Sequence, residues 1–178
     1  MRRVSKQRIK IMDCKIKSFH GDRAKLFGYK LTFAQKLIRL RSIYLHSEFQ
    51  YSERYGNISF SATMQDECKG ARFKQIEYSH PERWSTVVIP MTNKQEDYSW
   101  HLAKKMLGMP YDLKGQLCHL LKVKLWKPSK DKTWCSKAVG NVLWWPYPDF
   151  YTLIKKYGLL DEIRPDQLHF MAEYHFKD

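Results

Sequence analysis

Four cysteines, Cys14, Cys68, Cys118 and Cys135, are all the 178-residue chain contains, and no two form a Cys-x-x-Cys pair. That spacing excludes a zinc ribbon and a thioredoxin-type motif, and the four read as reduced thiols. No apolar run reaches membrane-spanning length. Residues 1–8 are basic but lead into further charges rather than an apolar signal core. A cytoplasmic location without a transmembrane segment is therefore expected, or the host cytoplasm or virion if the chain is viral. Internal repeats, low-complexity tracts and linkers are absent, so a single domain over 1–178 is expected, with 1–8 as a basic extension.

Acidic residues are also scarce: 18 Asp and Glu face 32 Lys and Arg, for a formal charge of +14. Such a charge attracts polyanions, whether nucleic acid, anionic lipid or an acidic cell-wall polymer. Zinc-finger spacing, an RNP signature and Arg/Gly-rich tracts are missing. A merely solvated basic face thus stays open beside a binding role. What the chain does have is 43% hydrophobic and 15% aromatic residues, enough for a globular core.

The periodicities predict an α+β fold with an antiparallel sheet packed against helices. Ile9, Ile11 and Ile16 mark a short first strand, and Phe33, Leu37, Leu40 with Ala34 and Ile38 an amphipathic helix opened by Thr32. Ile43, Leu45, Phe49 and Tyr51 alternate with Tyr44, His46, Glu48 and Gln50, which predicts a strand with an ionisable face. A turn at Arg54-Tyr55-Gly56-Asn57 leads to 58–62, the second arm of a hairpin, with Ser59 and Ser61 on one face. Residues 73–78 and 84–89 read as further strands. A capping box at Thr92–Gln95 or Asn93–Glu96 opens a helix with Trp100, Ala103, Met106 and Leu107 on one side, closed by Gly108 and Pro110. Residues 113–123 form another apolar run, and five lysines crowd 122–132. Trp144-Trp145-Pro146-Tyr147-Pro148 ends a helix with an aromatic wall; Asp149 caps the next, and Pro165 starts a last turn.

Thr133-Trp134-Cys135-Ser136-Lys137-Ala138-Val139 sets a thiol where a Lys- and Pro-rich loop becomes apolar-periodic. Asp131 or Thr133 can cap the helix, so Cys135 falls in or near its first turn, where free N–H groups and the helix dipole favour thiolate. A cysteine hydrolase also needs an imidazole in reach and a polar group to orient it. His46 is the candidate base, because it stands on a strand's polar face beside Glu48, whereas the other six histidines fall in turns, helices or the tail. The bland alternative is a buried core thiol and a structural strand histidine.

Six blocks stand in order: Tyr44-Leu45-His46-Ser47-Glu48-Phe49 and Ile58-Ser59-Phe60-Ser61-Ala62; then Gly70-Ala71-Arg72-Phe73, Pro81-Glu82-Arg83-Trp84, Gly108-Met109-Pro110-Tyr111-Asp112 and Trp134-Cys135-Ser136-Lys137. Together they resemble the circularly permuted, NlpC-like branch of papain-like cysteine hydrolases, the YiiX-like group, in which the His strand precedes the Cys helix. The resemblance covers about residues 9–168 and implies a permuted papain-like fold, Cys135 as nucleophile and His46 as general base. Glu48 is favoured as the orienting residue, with Ser61 or Ser59 as alternatives. Tyr111 is a candidate oxyanion donor beside the Cys135 N–H, and Trp134 and Lys137 line the substrate side, Lys137 keeping it electropositive. Leu45, Ser47 and Lys137 depart from the usual pattern. Thiol chemistry on an amide or ester is expected, such as that of a cell-wall peptide amidase or peptidase, or of an acyltransferase; no cofactor or metal is called for. The alternative is a basic non-catalytic protein on the same scaffold, binding nucleic acid or an anionic surface, or serving a viral assembly.

Overall fold

The computed structural model describes residues 11–20, 25–26, 29–30, 43–64, 67, 69–121, 129–157 and 163–177. Residues 1–8, Cys68, the helix expected at 33–41 and most of the lysine-rich stretch 122–132 lie outside them. Five strands make the main sheet: β1 (Ile11–Phe19), β4 (His46–Gln50), β5 (Ser59–Ala62), β6 (Ala71–Lys74) and β7 (Trp84–Thr92). Their order is β6-β5-β4-β1-β7, with every neighbouring pair antiparallel. A separate two-stranded ribbon joins β2 (Lys25–Leu26) to β3 (Tyr29–Lys30). Helices α1 (Asn93–Met106), α2 (Leu113–Leu121), α3 (Cys135–Leu143), α4 (Pro148–Lys156) and α5 (Pro165–Phe176) follow. The described chain is thus α+β, and none of its described helices is long and apolar enough to cross a membrane.

Cross-strand partners share a face of a sheet, so the register sorts the side chains. Ile16 stands opposite both Phe49 and Val87, and these meet Val139, Val142 and Leu143 of α3 in one core. Lys17 stands opposite Glu48 on the other face. Each fully buried Val or Leu contributes about 1.5–3 kcal/mol, whereas a helix cap contributes about 1. Packing, not capping, therefore holds α3 in place, and Cys135 with it. β7 is an edge strand, which lets Pro90 sit opposite Asp13 without costing a central ladder bond.

Several boundaries differ from expectation. The first strand is long and central, because its Lys and Asp residues alternate with buried Cys14, Ile16 and Ser18. The 73–78 strand begins at Ala71 and stops at Lys74; beyond it Tyr78 bonds Ser59 by its side chain. Thr92, not Asn93, forms the capping box, with Gln95. On α1 the buried stripe is Glu96, Ser99 and Ala103, and Leu107 lies past the end of the helix, exposed. Asp149 does not cap α4: Tyr147 holds that position and Pro148 is the first helical residue. The last turn is a full helix, α5, which packs on the sheet through Leu168 and Ala172. Of the expected aromatic wall, Trp144 and Trp145 are about half exposed, and Trp145 stacks on Tyr98.

Candidate active site

Cys135 is the first residue of α3 and is almost fully buried. Its flanks are tied down on both sides. Thr133 N–H donates to Pro110 O at 3.0 Å, and Asp112 N–H donates to Thr133 O at 2.9 Å. Trp134 Nε1 donates to Ile163 O at 3.0 Å, and the Ser136 hydroxyl donates to the same carbonyl. Neither Asp131 nor Thr133 caps the helix. A capping side chain must come from the residue just before the first helical one, and that residue is Trp134, which has no oxygen on its side chain. The first-turn N–H groups next to the thiol are therefore left without a side-chain cap among the described residues.

His46 begins β4, and the Cys135 side chain is near enough to favour the charged form of its ring. Its Nε2 is 2.6 Å from Glu48 Oε1, which leaves Nδ1 as the ring nitrogen for the thiol. Glu48 is 1% exposed, while His46 keeps 23% of its side chain open to solvent. Arg72 of β6 completes the cluster: Nη2 donates to Glu48 Oε1 at 3.0 Å and Nη1 to Oε2 at 3.2 Å. Burial works against ionising either His46 or Glu48, but mutual attraction outweighs it. Glu48's charge, with hydrogen bonds to Cys135 and Glu48, carries His46 up to about 10. His46 and Arg72 hold the Glu48 carboxyl below its ordinary range despite burial.

Tyr111 is brought to the thiol by a bridge between its own backbone and Thr133. Burial, then the charge at Cys135, pushes its phenol well above the usual range, so it stays a hydrogen-bond donor at physiological pH. In the resting site it donates to Gln116 Oε1 at 2.8 Å. Asp112 anchors the adjoining turn by accepting from Gly115 N–H and Ser129 N–H, each at 2.9 Å. Lys137 is buried rather than facing a substrate: its Nζ donates to Ser129 O at 3.2 Å and lies 5.3 Å from the centre of the Trp134 ring. Trp134 is itself buried, so neither residue presents an open substrate surface.

The structure separates the three candidates for orienting His46. Glu48 touches the ring, Ser61 Oγ donates to Ser47 O at 2.6 Å, and Ser59 Oγ pairs with Tyr78 Oη at 2.8 Å. Other histidines are engaged elsewhere: His20 with Ser85, His169 with Ser18 and His80 with Glu82. Cys14 is fully buried and bonded to Glu96, and burial followed by the Glu96 charge pushes its thiol far up. Such a thiol is unreactive. Sequence reasoning passed over Arg72 and Gln116 as site residues. Arg72 lies within one of the six ordered blocks, but nothing local distinguishes its guanidinium from the others in a lysine- and arginine-rich chain.

Comparison of the chain with family models, curated proteins and solved structures returned no match. Among the described residues no group of three or more His, Cys, Asp or Glu is placed to hold a metal ion.

Proposed function

We propose that this chain is a cysteine hydrolase of permuted papain-like architecture, acting on an amide or ester acyl group. One observation carries the reading: Cys135, at an uncapped helix start, meets a His46 whose far nitrogen is held by a buried carboxylate. This is the arrangement that nucleophilic acyl transfer needs. The order of His strand before Cys helix also fits the permuted form of that fold.

The chemistry follows from the placement. With His46 protonated through neutral pH, the imidazolium already carries the proton, and the Cys135 sulfur attacks as thiolate. A C–S bond forms at the carbonyl carbon, and the C=O electron pair moves to oxygen. The Cys135 N–H and the Tyr111 hydroxyl, turning its proton from Gln116, receive that oxyanion. His46 protonates the departing amine or alkoxide, which leaves a thioester on Cys135. Water, deprotonated by His46, then attacks the thioester; the carboxylic acid leaves and the sulfur is regenerated. A different acceptor in place of water would make the same site an acyltransferase. A cell-wall peptide is the substrate class we favour, since an acidic polymer suits the chain's formal charge of +14.

The test is hydrolysis of a panel of peptide amides, cell-wall peptides and simple esters by the full chain and by Cys135→Ala. Turnover lost with Cys135 and retained folding is the expected result. Turnover that survives the substitution, or polyanion binding with steep salt dependence and no turnover, overturns the proposal in favour of a binding role.

A further inference from the structure

We infer that Arg72 is a positioning residue of this site, a guanidinium that crosses β5 to clamp the Glu48 carboxylate so that one oxygen faces the His46 ring. The inference rests on the Cys135–His46 reading for its catalytic meaning but not for its geometry.

The sheet register makes the clamp reachable. Phe49 pairs with Phe60 and Gln50 with Ser59, so the next opposed pair is Glu48 and Ser61. Ser61 in turn pairs with Arg72. Glu48, Ser61 and Arg72 therefore form a row across three strands on one face, with the smallest side chain in the middle. Ser61 turns its hydroxyl to Ser47 O, which leaves its place in the row clear for the guanidinium. A bulkier residue there would block the path.

The fork geometry matters. Arg72 meets both Glu48 oxygens, at 3.0 and 3.2 Å, which fixes the plane of the carboxylate as a single-point contact cannot. Its side chain is 12% exposed and Glu48's 1%, so water competes little for either. Another cation stands nearer in register and does not take the role. Lys17 is directly opposite Glu48, yet its Nζ donates to Thr86 Oγ1 at 2.9 Å and rests over the Tyr78 ring at 4.9 Å. Tyr78 lies close enough to Glu48 for the carboxylate's charge to raise its phenol, after burial, and its hydroxyl is held by Ser59. The charged groups acting on His46 are thus Glu48 on its own strand and Cys135 from α3, with Arg72 acting on the carboxylate and Lys17 and Tyr78 facing Glu48.

Arg72→Met and Arg72→Lys in the full chain test the inference, with Ser61→Leu to close the row while leaving every charged group in place. The readouts are the His46 ring titration by NMR and the rate of Cys135 alkylation by iodoacetamide at pH 7. In Arg72→Met the carboxylate is expected to swing, His46's midpoint to fall from about 10 toward its ordinary value, and alkylation to slow about tenfold. Arg72→Lys, which keeps charge but not the fork, should shift the midpoint in the same direction, and so should Ser61→Leu. An unchanged midpoint in the folded variants means that Glu48 holds its place unaided and overturns the inference. A raised midpoint means that Arg72 acts by repulsion alone and overturns it too. If Arg72→Met does not fold, Arg72→Lys and Ser61→Leu decide the matter by the same criteria. A wild-type midpoint near 10 with no alkylation of Cys135 would sink the hydrolase reading and leave the clamp standing.

Discussion

Glu48 and His46 stand two residues apart on one strand, and Glu48 Oε1 still reaches His46 Nε2 at 2.6 Å. Side chains at i and i+2 point to the same side of a sheet but start nearly 7 Å apart, so contact requires one of them to lean along the strand. Arg72 pairs with both oxygens of that carboxylate. The pair gathers a positive imidazole, a negative carboxylate and a positive guanidinium into a nearly dry row, a design that is costly unless every partner is present.

Removing the nucleophile is the most direct check. Cys135→Ala is expected to abolish both acyl hydrolysis and labelling by a small electrophile, with far-UV CD and the melting curve little changed. In the wild type, mass spectrometry should find Cys135 modified before Cys14, whose thiol is fully buried and has its pKa pushed far up. Equal modification rates for the two thiols near neutral pH would count against an activated Cys135.

The charge on His46 gives stability a pH signature. Its folded value is raised from 6.5 to about 10, so its contribution is complete below about 6.5 and fades as pH climbs through 10. Glu48 is depressed below 4.5 in the fold, so its contribution is present above that value and disappears in acid. Urea unfolding of wild type and His46→Gln should therefore differ most near pH 6 and converge by pH 10. A difference that stays constant across that range would contradict an imidazolium in the folded site.

Loss of the carboxylate should be severe for folding as well as for catalysis. Glu48→Gln removes the carboxylate that both His46 and the 12%-exposed Arg72 fork engage, and breaking such a largely buried pair costs about 3–5 kcal/mol. Hydrolysis should also fall steeply, because the imidazole loses both its anchor and its source of charge. A loss below about 1 kcal/mol in urea would mean the pair behaves as a solvent-screened surface bridge.

A structural control lies away from the site. Thr92 accepts from Gln95 N–H at 3.3 Å while Gln95 Oε1 accepts from Thr92 N–H at 2.9 Å. Thr92→Ala removes one arm of this box and should cost about 1 kcal/mol. Alkylation of Cys135 should be unchanged, since the box opens α1 and not α3.

The hairpin around His46 was legible because alternation with period two is a direct consequence of strand geometry, and Ser59 and Ser61 fell on one face for the same reason. Thr92 and Pro165 were legible because helix starts have local chemistry. The length of β1 was not, since a lysine between buried residues looks the same in a strand as in a loop. Asp131 and Thr133 were misread as caps because capping depends on where the first helical residue falls, and the bridge from Thr133 to Tyr111 placed that start at Cys135. Lys137 was expected to face the substrate, yet nothing in its neighbours reveals that its amine finds Ser129 O.

Local chemistry alone determined that this chain would build an α+β domain, that a thiol would sit near a helix start, and that an imidazole and a carboxylate would share one strand face. Those are consequences of spacing along the backbone, which any short stretch carries with it. Tertiary structure decided which oxygen meets the imidazole, that Ser59 and Ser61 are turned to other partners, and that Arg72 closes the row from 24 residues away. The physical reason is register. Which residues oppose one another across three strands depends on how the whole sheet pairs and packs, and no local stretch of sequence encodes that alignment.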